Sequence, residues 1–220
     1  MSNRIIKHIL IAVAAVLAAC STVKVIPQGE SRLKENKIKI ANSRDYLPSQ
    51  LEPYIKQKPN TYFIFGWNPF LNVYNWKNGK EGKWDNFVEK IGQEPVIFDP
   101  ELVESSKKNI KDHLNYQGYY NSKVEGNIIT ENKKTTVNYI VTLGRQYPIK
   151  DIRYAIEDTL LASAFYGDSL QNVIQKGSYL SEEYLTLASE KISQNLRDKG
   201  FYGFSKNYFF FTADTLDQKG

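Results

Sequence analysis

Asp99-Pro100-Glu101-Leu102-Val103 begins a segment that runs through Ile110 and Leu114 to Gly118-Tyr119-Tyr120. At an offset of 82 residues, Ser181-Glu182-Glu183-Tyr184-Leu185 begins another, running through Ile192 and Leu196 to Gly200-Phe201-Tyr202. Each predicts a helix with marked ends. Asp99 and Ser181 can accept hydrogen bonds from the free N–H groups of a first turn, and Pro100 suits the first helical position. Acidic residues follow where the helix dipole favours negative charge. Gly118 and Gly200 stand where a helix ends on a left-handed residue. Val103, Ser106, Ile110 and Leu114 correspond to Leu185, Ala188, Ile192 and Leu196, and steps of three and four put each set on one face. Shared caps, stripe, terminal glycine and aromatic pair point to two copies of one unit rather than two unrelated amphipathic helices.

The flanks extend the correspondence. After the first helix, Ser122 to Thr130 reads as a strand and Glu131-Asn132-Lys133-Lys134 as a turn. Val137, Tyr139, Val141 and Leu143 then alternate with Asn138, Ile140 and Thr142, which predicts a hairpin. After the second helix, Asn207 to Thr212 reads as a strand whose dense part is Tyr208-Phe209-Phe210-Phe211, followed by turn-like Asp214 to Gly220. Before the helices, Lys37 to Ala41, entered from Leu33, and Ile149 to Ile156 read as first strands. Pro48 to Ile55, with Leu51 and Ile55 on one face, and Asp168 to Gln175, with Leu170 and Ile174, read as short helices. The recurring order is strand, helix, helix, strand, strand. Helices on one face of a small mixed sheet make an α+β fold. The second copy has no final strand, which predicts an incomplete sheet with an aromatic edge and a chain that is part of a longer protein; a divergent small domain is the other reading.

Between Asn60 and Pro95 the first copy carries extra sequence with all three tryptophans, Trp67, Trp76 and Trp84, and with Phe70 and Tyr74 among glycine, lysine and asparagine. Aromatic and basic residues interleave as in single-strand nucleic-acid binders, but the formal charge of +5 falls to +3 once Arg4 and Lys7 leave with the N-terminal signal, too small to argue for nucleic acid. Packing of the insertion on its own domain is the leading reading, and a docking surface near lipid headgroups the next.

The N-terminus supplies an address. Arg4 and Lys7 precede the apolar run Ile9 to Leu17 and then Leu17-Ala18-Ala19-Cys20, a secretory signal over residues 1–19 with a small-residue cleavage site. The apolar run is short for a membrane span of about 20 residues. Cys20 is the chain's only cysteine, so no intramolecular disulfide can form. The tetrapeptide resembles a bacterial lipobox, which implies a diacylglycerol thioether and an N-acyl chain on Cys20 as the sole covalent additions, with no other cofactor. Ser21 to about Glu30, with Pro27 and Gly29, reads as an extended or flexible leash.

Enzyme chemistry finds little support. His8 leaves with the signal, so His113 is the one histidine of the mature chain, and no cysteine–histidine metal cluster can be assembled. The carboxylates Asp99, Glu101, Glu104, Glu182 and Glu183 cluster at helix N-termini, where the dipole explains them. Gly79-Lys80-Glu81-Gly82 lacks the Gly-Lys-Ser/Thr ending of a phosphate loop. No catalytic or metal-binding residue is assigned.

Taken in order, Cys20-Ser21-Thr22-Val23-Lys24-Val25-Ile26-Pro27-Gln28-Gly29, Tyr54 to Asn60, Phe65-Gly66, Tyr74-Asn75, Leu114 to Tyr120 and Leu196 to Tyr202 resemble POTRA domains of the BamA/TamA-like outer-membrane assembly family. The resemblance is strongest to the lipoprotein variant (TamL-like) of Bacteroidota. It implies tandem POTRA-like modules, one over residues 31–145 with an insertion at about 60–95 and a partial one over 146–220, after a lipidated tether at 20–30. It also implies an outer-membrane, lipid-anchored location with the domains facing the periplasm; Ser21 and the lack of an early acidic cluster agree with that leaflet. The implied partners are outer-membrane lipids, nascent outer-membrane proteins and a TamB-like inner-membrane-anchored subunit, with no nucleic acid. The strand after each second helix is then the candidate edge for pairing with an extended polypeptide: Ser122, Val124, Gly126 and Ile128 in the first copy, and Tyr208, Phe209, Phe210 and Phe211 in the second. Plain sheet structure explains the same strands. A free-standing lipoprotein adaptor with no insertase role is the alternative function.

Overall fold

A computed structural model describes residues 22–61, 68–80 and 82–214. They divide into two units by contact. The first holds the described residues up to Ile110 with Val124–Thr142; the second holds Lys111–Lys123 and the described residues from Leu143 onward.

In unit 1 the chain forms β1 (Arg32–Ile40), a 3-10 helix (Pro48–Tyr54), α1 (Pro69–Tyr74) and α2 (Lys83–Ile91). It continues into α3 (Pro100–Tyr116), of which unit 1 holds the residues up to Ile110, and the hairpin β2 (Lys123–Glu131, from Val124 onward in unit 1) and β3 (Lys134–Thr142). The sheet order is β1-β3-β2. β1 runs parallel to β3 in a register from Asn36 opposite Val137 to Ile40 opposite Val141, after a bulge between Leu33 and Glu35. Asn132 and Lys133 link β2 to β3 with φ of 50° and 57°, the geometry of a primed two-residue turn whose twist matches antiparallel strands. Val137, Tyr139 and Val141 are buried, as the alternation requires, together with Leu33, Leu51, Val103 and Ile110. A Cβ on Gly126 would stand 3.0 Å from Val103 Cγ1, so the absent side chain lets α3 lie close over β2.

The insertion folds onto this unit. Buried Asn60 donates to the Glu94 carbonyl at 2.7 Å and accepts from the Val96 amide at 3.0 Å, which closes its base. Buried Asn68 accepts from the Leu71 amide at 2.8 Å and so caps α1. Leu71 and Val88 are the fully buried side chains of α1 and α2. The tether departs from the leash reading. Ile26 is buried, the Val25 amide donates to Asn75 Oδ1 at 3.3 Å, and Lys133 Nζ donates to the Ile26 carbonyl at 2.8 Å. An apolar side chain with its flanking main chain hydrogen-bonded is docked chain, not a free linker. Residues 20 and 21 lie outside the described residues.

Unit 2 contains α4 (Thr159–Gly167), a 3-10 turn (Leu170–Asn172), α5 (Glu182–Asp198) and a second 3-10 turn (Lys206–Tyr208). Ser181 caps α5 by accepting from the Tyr184 amide at 3.0 Å, and Gly200 follows with φ of 99°. Phe165, Leu170, Ile192 and Leu196 form its buried cluster, against which Tyr154, Ile156, Phe201, Phe204 and Phe209 pack. The short helix expected at Asp168 to Gln175 shrinks to the 3-10 turn, with Leu170 and Ile174 buried as expected. Helix α4 has no counterpart in the sequence reading; Asp158, which accepts from the Leu160 and Leu161 amides at 2.8 Å, marks its start.

Two expected strands are absent from unit 2. Within Ile149 to Ile156, burial alternates: Ile152, Tyr154 and Ile156 are half-buried while Asp151, Arg153 and Ala155 are exposed. The segment nonetheless belongs to no ladder; its one bridge, from neighbouring Pro148 to Tyr179, is isolated. In unit 1 the first strand is held by β3, and unit 2 has no counterpart of β3 among the described residues. Asn207 to Thr212 is likewise no strand: Tyr208 lies in the 3-10 turn, while Phe209, Phe210 and Phe211 follow in extended chain without a ladder partner. Phe209 turns onto the buried cluster, and Phe210 is 92% exposed.

Candidate strand-pairing edge

A sheet edge can bind an extended polypeptide only where N–H and C=O groups point away from the sheet and nothing else takes them. The two edges of unit 1 differ in this respect. β1 is closed at its start: the Leu33 amide donates to the Val96 carbonyl and the Phe98 amide to the Ser31 carbonyl, each at 2.8 Å, around a bridge between Arg32 and Ile97. Farther along, Asn36 Nδ2 donates to the Gln57 carbonyl at 2.8 Å. Among the described residues, no main-chain hydrogen bond reaches β2 from outside its hairpin.

Turn geometry fixes which β2 groups face outward. In a two-residue hairpin the residues flanking the turn form a hydrogen-bonded pair, and bonded and non-bonded pairs then alternate. Glu131, Ile129, Asn127, Glu125 and Lys123 therefore direct their main-chain groups to β3. Thr130, Ile128, Gly126 and Val124 direct theirs outward. Three of the sequence candidates, Val124, Gly126 and Ile128, thus belong to the outward set. Ser122 has another task one residue before β2: its Oγ donates to the Tyr119 carbonyl at 2.7 Å and accepts from the Gly144 amide at 2.9 Å. Tyr208, Phe209, Phe210 and Phe211 belong to no sheet, so the structure does not bring them to an edge with the first set.

The side chains around the β2 edge are mixed. Ile128 and Ile129 are 46% and 50% exposed, and Lys123, Glu125 and Glu131 are exposed as well. Such an edge offers a main-chain template with shallow apolar contact rather than a pocket. Thr130 Oγ1 lies 2.7 Å from Thr135 Oγ1, which lies 2.5 Å from Ser31 Oγ, so a chain of hydroxyls crosses the sheet near the turn.

Reactive chemistry is not concentrated anywhere in the described residues. No group of three or more histidine, cysteine, aspartate or glutamate side chains could hold a metal among them. Burial pushes His113 below the ordinary imidazole range against the opposing effect of Glu183. Arg32, the first residue of β1, is buried, and its Nε and Nη1 find no partner among the described residues. Burial, reinforced by Arg32 and Lys34, lowers the pKa of Lys134. Nothing in the sequence pattern singled out Arg32. No helix among the described residues is long and apolar enough to cross a membrane. Cys20 lies outside them.

Residues 33–144 match the family model POTRA, described as the surface antigen variable number repeat. The chain belongs to the POTRA family. The matched span begins in β1 and ends just after β3, so it takes in the whole sheet of unit 1, its insertion and α3. POTRA domains are periplasmic polypeptide-binding modules of outer-membrane assembly factors. Among solved structures, the Haemophilus influenzae BamA POTRA3-5 crystal structure is similar at 12% identity, over 80% of this chain and 89% of that one, with a TM-score of 0.27. No curated protein matches the chain.

Proposed function

We propose that this POTRA chain is the lipid-anchored, periplasm-facing arm of an outer-membrane assembly factor of the Bacteroidota lipoprotein type. It captures an extended segment of a client or partner polypeptide by adding it to β2. The observation that carries this reading is the asymmetry of the sheet: β1 is covered at its start, whereas four outward-facing residues of β2 have no main-chain partner outside the hairpin among the described residues. Pairing through main-chain groups selects extended conformation over side-chain identity, which suits a module handling many β-rich clients. Nascent outer-membrane proteins and a TamB-like subunit are the partners of this chemistry. A diacylglyceryl, N-acylated Cys20 supplies attachment to the outer membrane, because several acyl chains anchor stably where one is marginal.

Proline separates pairing from folding. At Val124 or Ile128 it removes an outward N–H, a loss that an edge strand tolerates. At Glu125 it removes a bond to β3. Val124→Pro and Ile128→Pro should each lower photocrosslinking of an extended outer-membrane-protein peptide about tenfold, the cost of about one hydrogen bond lost from a ladder, with tryptophan emission unchanged. Glu125→Pro should alter both. Undiminished capture by folded Val124→Pro and Ile128→Pro would remove β2 as the docking edge.

A further inference from the structure

Helix α2 hides one face and leaves an apolar stripe outside. Asp85 and Val88 are buried, whereas Trp84, Phe87 and Ile91, at steps of three and four on the same helix, are 51%, 53% and 43% exposed. Trp84 and Phe87 have ring centroids 6.0 Å apart, and Trp84 Nε1 donates to the Trp76 carbonyl at 3.4 Å. Trp76 itself is 52% exposed. Three large aromatic rings and an isoleucine therefore form one exposed patch of unit 1, with Lys83 and Lys90 exposed along α2. The acids of α2 are engaged elsewhere: Asp85 accepts from the Asn78 amide at 3.1 Å, and Glu89 pairs with Lys77.

The docked tether tells what this patch meets. Asn75, the residue before Trp76, is buried and holds the Val25 amide at 3.3 Å. Val25 stands five positions beyond Cys20, and a fully extended chain of five steps spans at most about 18 Å. Whatever path residues 20 and 21 take, Cys20 lies within that distance of Val25, and Val25 is held by Asn75, the neighbour in sequence of Trp76. Tryptophan and lysine are side chains that favour the headgroup region, where an apolar ring and a polar group are both satisfied.

We infer that Trp76, Trp84, Phe87 and Ile91 form a membrane-contact surface that lies in the headgroup region of the bilayer carrying the Cys20 lipid. This inference rests on the lipoprotein reading above. It makes the insertion a second, non-covalent attachment that orients unit 1 against the membrane instead of letting it swing on a leash.

The test uses the processed full chain reconstituted into phosphatidylethanolamine–phosphatidylglycerol vesicles, with and without brominated phospholipid. A Trp67→Phe background confines emission to Trp76 and Trp84. Brominated lipid should quench that emission about twofold, as expected for rings at the headgroup level. Phe87→Asp with Ile91→Asp should restore most of it while the protein stays vesicle-bound. Acyl labelling of Cys20, read by mass in the same sample, separates the two ideas. Acylated Cys20 with unquenched tryptophan overturns the membrane-contact surface and leaves the lipoprotein reading standing. Unacylated Cys20 overturns the lipoprotein reading and this inference with it. Unquenched emission with Trp84 crosslinked to a second copy or to a partner protein identifies a protein as the occupant and also overturns the inference.

Discussion

The first copy follows its 17-residue helix α3 with two nine-residue strands that pair with each other, the second of them also pairing with β1. The second copy follows its 17-residue helix α5 with turns and a 3-10 segment that form no strand among the described residues. The helices are alike because everything that makes them is local: a capping side chain, an apolar stripe and a terminal glycine within one stretch of sequence. The sheets differ because a strand is completed by another strand. Ile152, Tyr154 and Ile156 alternate with exposed neighbours as strand residues do, yet without a partner they join no ladder, and Tyr154 and Ile156 pack on Phe165 and its neighbours.

Hydrogen exchange should show the largest contrast between the copies. Amides of Val137, Tyr139 and Val141 lie in the central strand, bonded on both sides. Residues 151–157 and 210–212 make no main-chain hydrogen bonds to main-chain groups among the described residues. Exchange in β3 should be slower by about 1,000-fold or more, since buried central strands open only with the whole unit whereas unbonded segments open at almost no cost. Equal protection in the two regions would show that the unit 2 segments are paired after all, with another part of the chain or another copy.

Core truncation sharpens the comparison at matched positions. Ile110 in α3 and Ile192 in α5 are both fully buried. Ile110→Ala should cost unit 1 about 4 kcal/mol, because a sheet laced by main-chain bonds relaxes little into a cavity. Ile192→Ala should cost unit 2 about 2 kcal/mol, because ladder-free segments bearing Tyr154 and Phe209 can settle into the space. All three tryptophans lie in the sequence of unit 1, so denaturant titration by tryptophan emission reports the first change. Exchange measured by mass over α5 reports the second. An equal cost would mean that the missing ladder does not soften the core of unit 2.

The hairpin that carries the candidate edge was legible in the sequence for the same reason that the helices were. The turn at Asn132-Lys133, the alternation of β3 and the strand containing Val124, Gly126 and Ile128 are neighbours in the chain, and a hairpin needs only neighbours. Two kinds of feature were not legible. One depends on distant partners: the closure of β1 by Val96 and Ile97, and the unpaired state of Phe209 to Phe211, follow from chain that approaches or fails to approach. The other depends on side chains with two plausible roles. An asparagine can be solvated or a buried cap, and Asn60, Asn68 and Asn75 are all buried and hydrogen-bonded, with Asn75 converting an expected leash into a docked segment.

The glycines that end the two helices supply the smallest and sharpest contrast. Gly118 and Gly200 have φ of 87° and 99°, so each is in the left-handed region that a side chain makes costly. Their surroundings differ. A Cβ on Gly118 would stand 2.5 Å from the Leu180 carbonyl oxygen, a main-chain atom that cannot swing aside, whereas a Cβ on Gly200 meets nothing within 4 Å. Gly200→Ala should therefore cost about 1 kcal/mol, the backbone term alone. Gly118→Ala should cost about 2 to 3 kcal/mol, because the overpacking adds to that term. Both changes are read in unit 2, which holds Gly118, Leu180 and Gly200, so exchange over α5 measures them on one scale. The difference isolates what contact adds to a conformational preference that the sequence alone displays. If the two costs were equal, Leu180 would have to move without penalty, and the close approach at Gly118 would be incidental to the fold.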